Sequence, residues 1–211
     1  MKIINVKPTE EYFSLNWQIG IRCNYNCMYC SPEWHDNTSG FRELGELQEA
    51  WITIFDKTKS LNLPYKIAFT GGELTANKNF LPFVTWLKDN YSLHLFKVMV
   101  TTNGSASTQY YKKMFDSVDN ITFSLHTEHA DEQKFFNMIV DLGKDLPDDR
   151  FLHVAIMNEY WNQGRIPVYT RLLDENNISY TVNEIDYRYK TREHPIFLGK
   201  LNLEVRGSTI L

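Results

Sequence analysis

Cys23, Cys27 and Cys30 all fall in the stretch IRCNYNCMYCSPEWHD, residues 21–36, and are the only cysteines of the chain. Three thiols within eight residues can hold a metal, and the count of three has to be explained. A buried helical stripe would show the same spacing, but Asn24, Asn26 and Pro32 are poor helix material. Cys27 and Cys30 form a C-x-x-C pair suited to thiol–disulfide exchange, which leaves the third cysteine without a use. Adding His35 gives a Cys3His zinc set, although zinc spacing usually joins two separated knuckles rather than one compact loop. The remaining chemistry is an iron–sulfur cluster, which thiolates bind. A four-iron cubane normally takes four thiolates, so three leave one iron open to a substrate or cofactor, as catalytic metal sites keep an open position.

Such residues need elements to position them, and the hydrophobic periodicity supplies an alternating set. Strands are predicted over residues 14–21, 65–70, 93–102, 120–127, 150–158 and 178–187. Helices are predicted between them, over residues 44–61, 79–90, 108–118, 131–146 and 165–177. Pro82 and Pro167 are tolerable near helix starts, and Asp131 and Glu132 suit a helix N-terminus. Strand-then-helix alternation implies a parallel sheet with covering helices, an α/β fold. Residues 187–211 break the rhythm and read as a hairpin about Gly199 or an irregular cap over one end of the sheet.

In parallel α/β architectures the carboxyl ends of strands assemble the ligand site. The cysteines follow the first predicted strand, and Gly71, Gly72 and Glu73 follow the second. Asn103 follows the third, Ser124 and His126 close the fourth, Met157 and Asn158 the fifth, and Glu184 and Asp186 the sixth. Each has a plain alternative. The glycines suit a turn needing positive φ, Glu73 a solvent-facing helix entry, Asn103 a turn, and Tyr29 and His126 the core. His35 and Asp36 are either substrate-facing acid/base groups or a loop with a helix-starting aspartate.

The composition narrows the field. A net charge of −4 and a pI near 5.9 argue against a broad nucleic-acid or anionic-membrane surface. No run of about 18 apolar residues occurs, and the first residues show no secretory signal. A cytoplasmic setting is expected, where thiols stay reduced.

CNYNCMYC, with an aromatic residue before its last cysteine, resembles the signature of the radical S-adenosylmethionine (SAM) superfamily. AFTGGELT resembles that family's Gly-Gly-Glu motif at the second strand end, and VTTNGS its third strand end. The likeness runs over residues 13–186 and implies a partial (β/α)6 TIM-like barrel with parallel strands, with 187–211 as a C-terminal extension capping it. It implies a [4Fe–4S] cluster on Cys23, Cys27 and Cys30, with SAM chelating the open iron. Gly71, Gly72 and Glu73 would meet the methionine amino group, and Tyr29 the adenine. Ser124 and His126 would meet ribose or carboxylate, Asn103 would make a polar contact, and Met157 and Asn158 would border the adenine. His35, Asp36 and Glu184 are candidates for substrate contact.

The resemblance implies reductive cleavage of SAM to methionine and a 5′-deoxyadenosyl radical, which abstracts hydrogen from a small-molecule or peptide substrate. A one-electron donor such as flavodoxin or ferredoxin is expected. No cysteine remains for an auxiliary cluster or a thiol hydrogen donor, so if a product radical must be quenched, a tyrosine or an external reductant would have to do it. The alternative is a zinc-stabilised Cys3His binding or scaffold module without SAM chemistry.

Overall fold

The computed structural model describes residues 2–8, 11–31, 33 and 35–185. Seven strands form one open sheet in chain order: β1 (Lys2–Pro8), β2 (Phe13–Gln18), β3 (Tyr65–Thr70), β4 (Leu95–Thr102), β5 (Asn120–Leu125), β6 (Phe151–Asn158) and β7 (Ser179–Glu184). The helices are α1 (Leu44–Thr58), α2 (Phe80–Tyr91), α3 (Thr108–Met114), α4 (Glu132–Lys144) and α5 (Ile166–Glu175), one between each pair of successive strands from β2 onward.

β2 to β7 are parallel throughout, so the α/β reading as a partial TIM-like barrel holds. β1 is an addition that periodicity did not predict, pairing antiparallel with β2 at the sheet edge. The first parallel strand starts at Phe13 and ends at Gln18, three residues before the expected limit, and α3 stops at Met114 rather than Val118. Asp186 and the expected capping extension, 187–211, lie outside the described residues.

Alternation along the strands separates two faces. Phe13, Leu15 and Trp17 of β2, Tyr65, Ile67 and Phe69 of β3, and Ile121, Phe123 and Leu125 of β5 are buried towards the helices. Trp17 packs against Trp51 of α1 and Phe83 of α2 with ring centroids 6.5 and 5.6 Å apart. The opposite face is only half-buried and carries Thr70, Thr122 and Ser124. Local signals start the helices: Asp131 accepts the Lys134 N–H at 3.1 Å before α4, and Ser107 accepts the Tyr110 N–H at 3.2 Å before α3.

The parallel arrangement brings the carboxyl ends of β2 to β5 side by side. Backbone bonds stitch these ends together: the Ile19 N–H donates to the Thr70 carbonyl, and the Gly72 N–H to the Gly20 carbonyl.

Candidate active site

The segment after β2 has no regular structure, yet it is pinned. The Asp36 N–H donates to the Ile21 carbonyl at 2.9 Å, and the Cys23 N–H donates to the Asp36 carbonyl at 2.7 Å. These two bonds close residues 21–36 into a loop that carries all three cysteines. Its far side is held by the β5–α4 connection, where Glu128 accepts the Met28 N–H at 2.9 Å and His129 accepts the Asn26 N–H at 3.3 Å.

One cavity of about 210 Å³ is lined by Cys23, Cys27, Cys30, Tyr25 and His35 from this loop. Gly71, Gly72 and Glu73, then Asn103, then Ser124 and His126 complete it from the ends of β3, β4 and β5. Nine of the residues singled out from sequence therefore meet with His35 around one space. Tyr29, Asp36, Met157, Asn158 and Glu184 are not part of its lining.

The glycines have a packing reason that the sequence did not disclose. A Cβ on Gly72 would lie 2.1 Å from the Arg22 carbonyl oxygen, and one on Gly71 would lie 2.3 Å from that of Gly20. Only Gly71 has the positive φ, +147°, expected of both. Absence of side chains here lets the β3 end lie directly against the chain that leads into the cysteine loop.

Glu73 is buried rather than facing solvent. Its carboxylate accepts the Thr75 N–H at 2.9 Å, the hydroxyls of Thr75 and Thr102 at 2.7 Å each, and the Asn103 N–H at 2.6 Å. Burial pushes its carboxyl upward against the pull of these donors. Its geometric work is to join the ends of β3 and β4. Asn103 continues the chain of contacts: its side-chain N–H donates to Asn24 at 2.9 Å, and Asn24 donates to Ser105 at 2.9 Å. Asn24 and Ser105 were not singled out from sequence.

The thiols sit in an electronegative, partly buried setting. Burial, then the charges of Glu73 and Cys30, pushes Cys23 up to about 11. Burial followed by Glu128 pushes Cys27 further up, and burial raises Cys30. Reactive redox cysteines need the reverse environment, so the C-x-x-C exchange reading loses its support. Thiols so placed ionise when a cation supplies the compensating charge.

Among the described residues, Cys27, Glu128 and His129 are the trio of potential ligands with donor atoms within 4.8 Å of one another. Cys23, Cys27 and Cys30 do not form such a group, with or without His35. The three thiol sulfurs do not all lie within 4.8 Å of one another, a spread that suits a polynuclear group better than one ion. His35 also has its Nε2 engaged by the Tyr25 carbonyl at 2.8 Å. The donor set thus fits an iron–sulfur cluster better than a Cys3His zinc ion.

Asp36 does not start a helix. It accepts the N–H groups of Thr38 and Ser39 at 3.1 and 3.0 Å and the Ser39 hydroxyl at 2.7 Å, forming a turn, whereas α1 begins after Glu43. Asn158 donates to Glu184 at 2.6 Å across the β6–β7 register, so these two engage each other. Tyr29 stands behind the cavity wall, stacked on His126 with its hydroxyl 2.5 Å from Nδ1 and donating to Glu159 at 2.8 Å. Burial, with His129 nearby, lowers His126 to about 4, so its imidazole is neutral at pH 7. Glu159 was also missed from sequence.

The family model of the Radical SAM superfamily matches residues 17–175. A probable GTP 3′,8-cyclase of Sulfurisphaera tokodaii is 28% identical over 193 residues, covering 86% of this chain and 56% of that protein. An S-adenosylmethionine-dependent nucleotide dehydratase of Selenomonas ruminantium is 33% identical over 93 residues, 44% of this chain and 30% of the relative. This chain thus spans about half or less of the length of these relatives. The crystal structure of Streptococcus suis SuiB shares the fold, with a TM-score of 0.61 at 14% identity over 91% of this chain and 45% of that one. A match over 17–175, on a parallel open barrel whose rim gathers the three cysteines and the Gly-Gly-Glu segment, makes the chain a member of the radical SAM superfamily of enzymes.

Proposed function

We propose that Cys23, Cys27 and Cys30 hold a [4Fe–4S] cluster at which this chain cleaves SAM reductively, and that the resulting 5′-deoxyadenosyl radical abstracts hydrogen from a small-molecule or peptide substrate. The observation that carries this reading is the one cavity whose lining joins all three thiols to the ends of β3, β4 and β5. When bound, the reduced cluster supplies the one electron that splits the sulfonium.

The protein's own residues would bind, orient and enclose. Gly71 and Gly72 would offer backbone to the methionine amino group, with Glu73 holding that backbone against Asn103. Ser124 and His126 would meet the ribose, and Tyr29 would support the adenine side through its stack on His126. An electron donor such as flavodoxin or ferredoxin would serve a cytoplasmic enzyme. No helix among the described residues is long and apolar enough to cross a membrane.

A second cavity, of about 710 Å³, shares Tyr25 with the first and lies between Ser105, Ser107, Asn137 and His129. It is proposed as the substrate's place, next to the site of radical formation. The second cavity has one cation in its lining, Lys134, beside Asp131 and Asp141, so a triphosphate would need further counter-charge elsewhere. The cyclase and dehydratase relatives favour a small molecule over a peptide.

The test is anaerobic reconstitution with iron and sulfide, followed by electron paramagnetic resonance of the reduced protein. The proposal expects about four irons per chain by the stoichiometry of a cubane, with a signal that changes when SAM is added. A colourless protein that retains zinc and leaves SAM unbound would overturn it.

A further inference from the structure

Glu159 follows directly on β6 and is fully buried, yet it belongs to none of the motifs above. Its carboxyl is surrounded by donors, and their directions can be worked out from one fixed point. The Trp161 indole N–H can only donate, and it reaches the Thr127 hydroxyl oxygen at 3.0 Å. The Asn162 side-chain N–H donates to the same oxygen at 3.2 Å. The hydroxyl hydrogen of Thr127 is then left for the Glu159 carboxylate, to which it is bonded. Tyr29 donates to the other carboxylate oxygen at 2.8 Å.

With Glu159 ionised, the phenol's one hydrogen goes to that carboxylate or to the Cys27 sulfur, and none is left for His126. The close contact between the Tyr29 oxygen and His126 Nδ1, at 2.5 Å, therefore needs its hydrogen from the imidazole. A neutral imidazole with hydrogen on Nδ1 has a bare lone pair on Nε2. No described residue hydrogen-bonds that nitrogen, and His126 lines the cavity beside Ser124.

We infer that Glu159 is a positioning residue which, through Tyr29, fixes His126 in its Nδ1–H tautomer and so presents a hydrogen-bond acceptor, Nε2, to the ligand of the cavity. The inference rests on the SAM reading for the ligand's identity and sharpens it. An acceptor at this position takes an O–H or N–H donor, a ribose hydroxyl or the adenine amine, and repels the methionine carboxylate. Of the two SAM groups that the strand end was expected to meet, ribose or carboxylate, the lone pair selects the ribose side.

The experiment measures anaerobic equilibrium binding to the cluster-loaded protein. The probes are SAM and SAM analogues lacking the 2′-hydroxyl, the 3′-hydroxyl or the 6-amino group. In the unsubstituted protein one analogue should bind about 5- to 10-fold more weakly than SAM, the size of one hydrogen bond. In Glu159→Gln and Tyr29→Phe that discrimination should fall to about 2-fold or less, whatever happens to overall affinity. Tyr29→Phe removes one hydroxyl and leaves the ring, so it keeps the test valid if Glu159→Gln folds poorly. A merely structural role would weaken SAM and all analogues alike and leave the ratios unchanged; that result overturns the inference while SAM binding itself stands. Absence of SAM binding to the unsubstituted protein would overturn the SAM reading and this inference with it.

Discussion

The carboxylate of Glu73 accepts the backbone N–H of Asn103 at 2.6 Å and so ties the carboxyl end of β3 to that of β4. The same carboxylate takes the Thr102 and Thr75 hydroxyls, which makes Glu73 the central brace of the cavity floor. Removing it leaves several buried donors unpaired, each costing about 1–3 kcal/mol. Glu73→Ala should lose on the order of 3 kcal/mol or more in urea unfolding. Glu73→Gln should lose less, because it keeps one accepting oxygen.

Gly72 has no room for a methyl group, since its Cβ would meet the Arg22 carbonyl oxygen at 2.1 Å. Gly72→Ala should cost about 3 kcal/mol or more and should displace the backbone that enters the cysteine loop, lowering iron content after reconstitution. Gly40→Ala is the control, because nothing lies within 4 Å of its would-be Cβ. It should stay within about 0.5 kcal/mol of the parent protein.

His126 links stability to pH. Its folded value, about 4, lies below the ordinary 6.5, mainly because burial disfavours the imidazolium. A depressed histidine contributes stability above its unfolded value, and that contribution is lost as pH falls from about 6.5 towards 4. The loss should be on the order of 2 kcal/mol across that window. Urea titrations at stepped pH should show the slope in the parent protein and a flatter one in His126→Asn.

The thiols should be slow nucleophiles when no metal is bound. Cys23, raised from 9 to about 11, carries about 100-fold less thiolate at neutral pH than an unperturbed cysteine. Iodoacetamide should label the metal-free protein slowly at pH 7.5 and much faster as pH rises past 9. Quantitative labelling at pH 7.5 within the time taken by a free cysteine would contradict this environment.

Much of this arrangement was legible in the chain itself, for physical reasons. Apolar periodicity and glycine-rich strand ends marked six parallel strands, and the cysteine spacing marked the loop that lines the cavity above them. β1 escaped because Lys2–Pro8 is ended by proline, which demotes a strand reading. Asp36 was one possible helix start because aspartate is a common N-cap; its side chain instead serves the turn at Thr38 and Ser39. Glu159 gave no local signal, since the tyrosine that explains it lies 130 residues earlier. Gly71 and Gly72 stood out in the sequence as a turn after a strand, but their strongest constraint, contact with Gly20 and Arg22, arises only once β2 and β3 pair.

The proposed chemistry of this rim is the making of a radical from SAM. Anaerobically reconstituted protein should therefore be incubated with SAM and dithionite, and 5′-deoxyadenosine measured by chromatography against single alanine substitutions of Cys23, Cys27 and Cys30. The parent protein should form 5′-deoxyadenosine and methionine in equal amounts, and none of the three variants should form either above background. A cluster-loaded, SAM-binding parent protein that forms no 5′-deoxyadenosine, or variants that form as much as the parent, would contradict it.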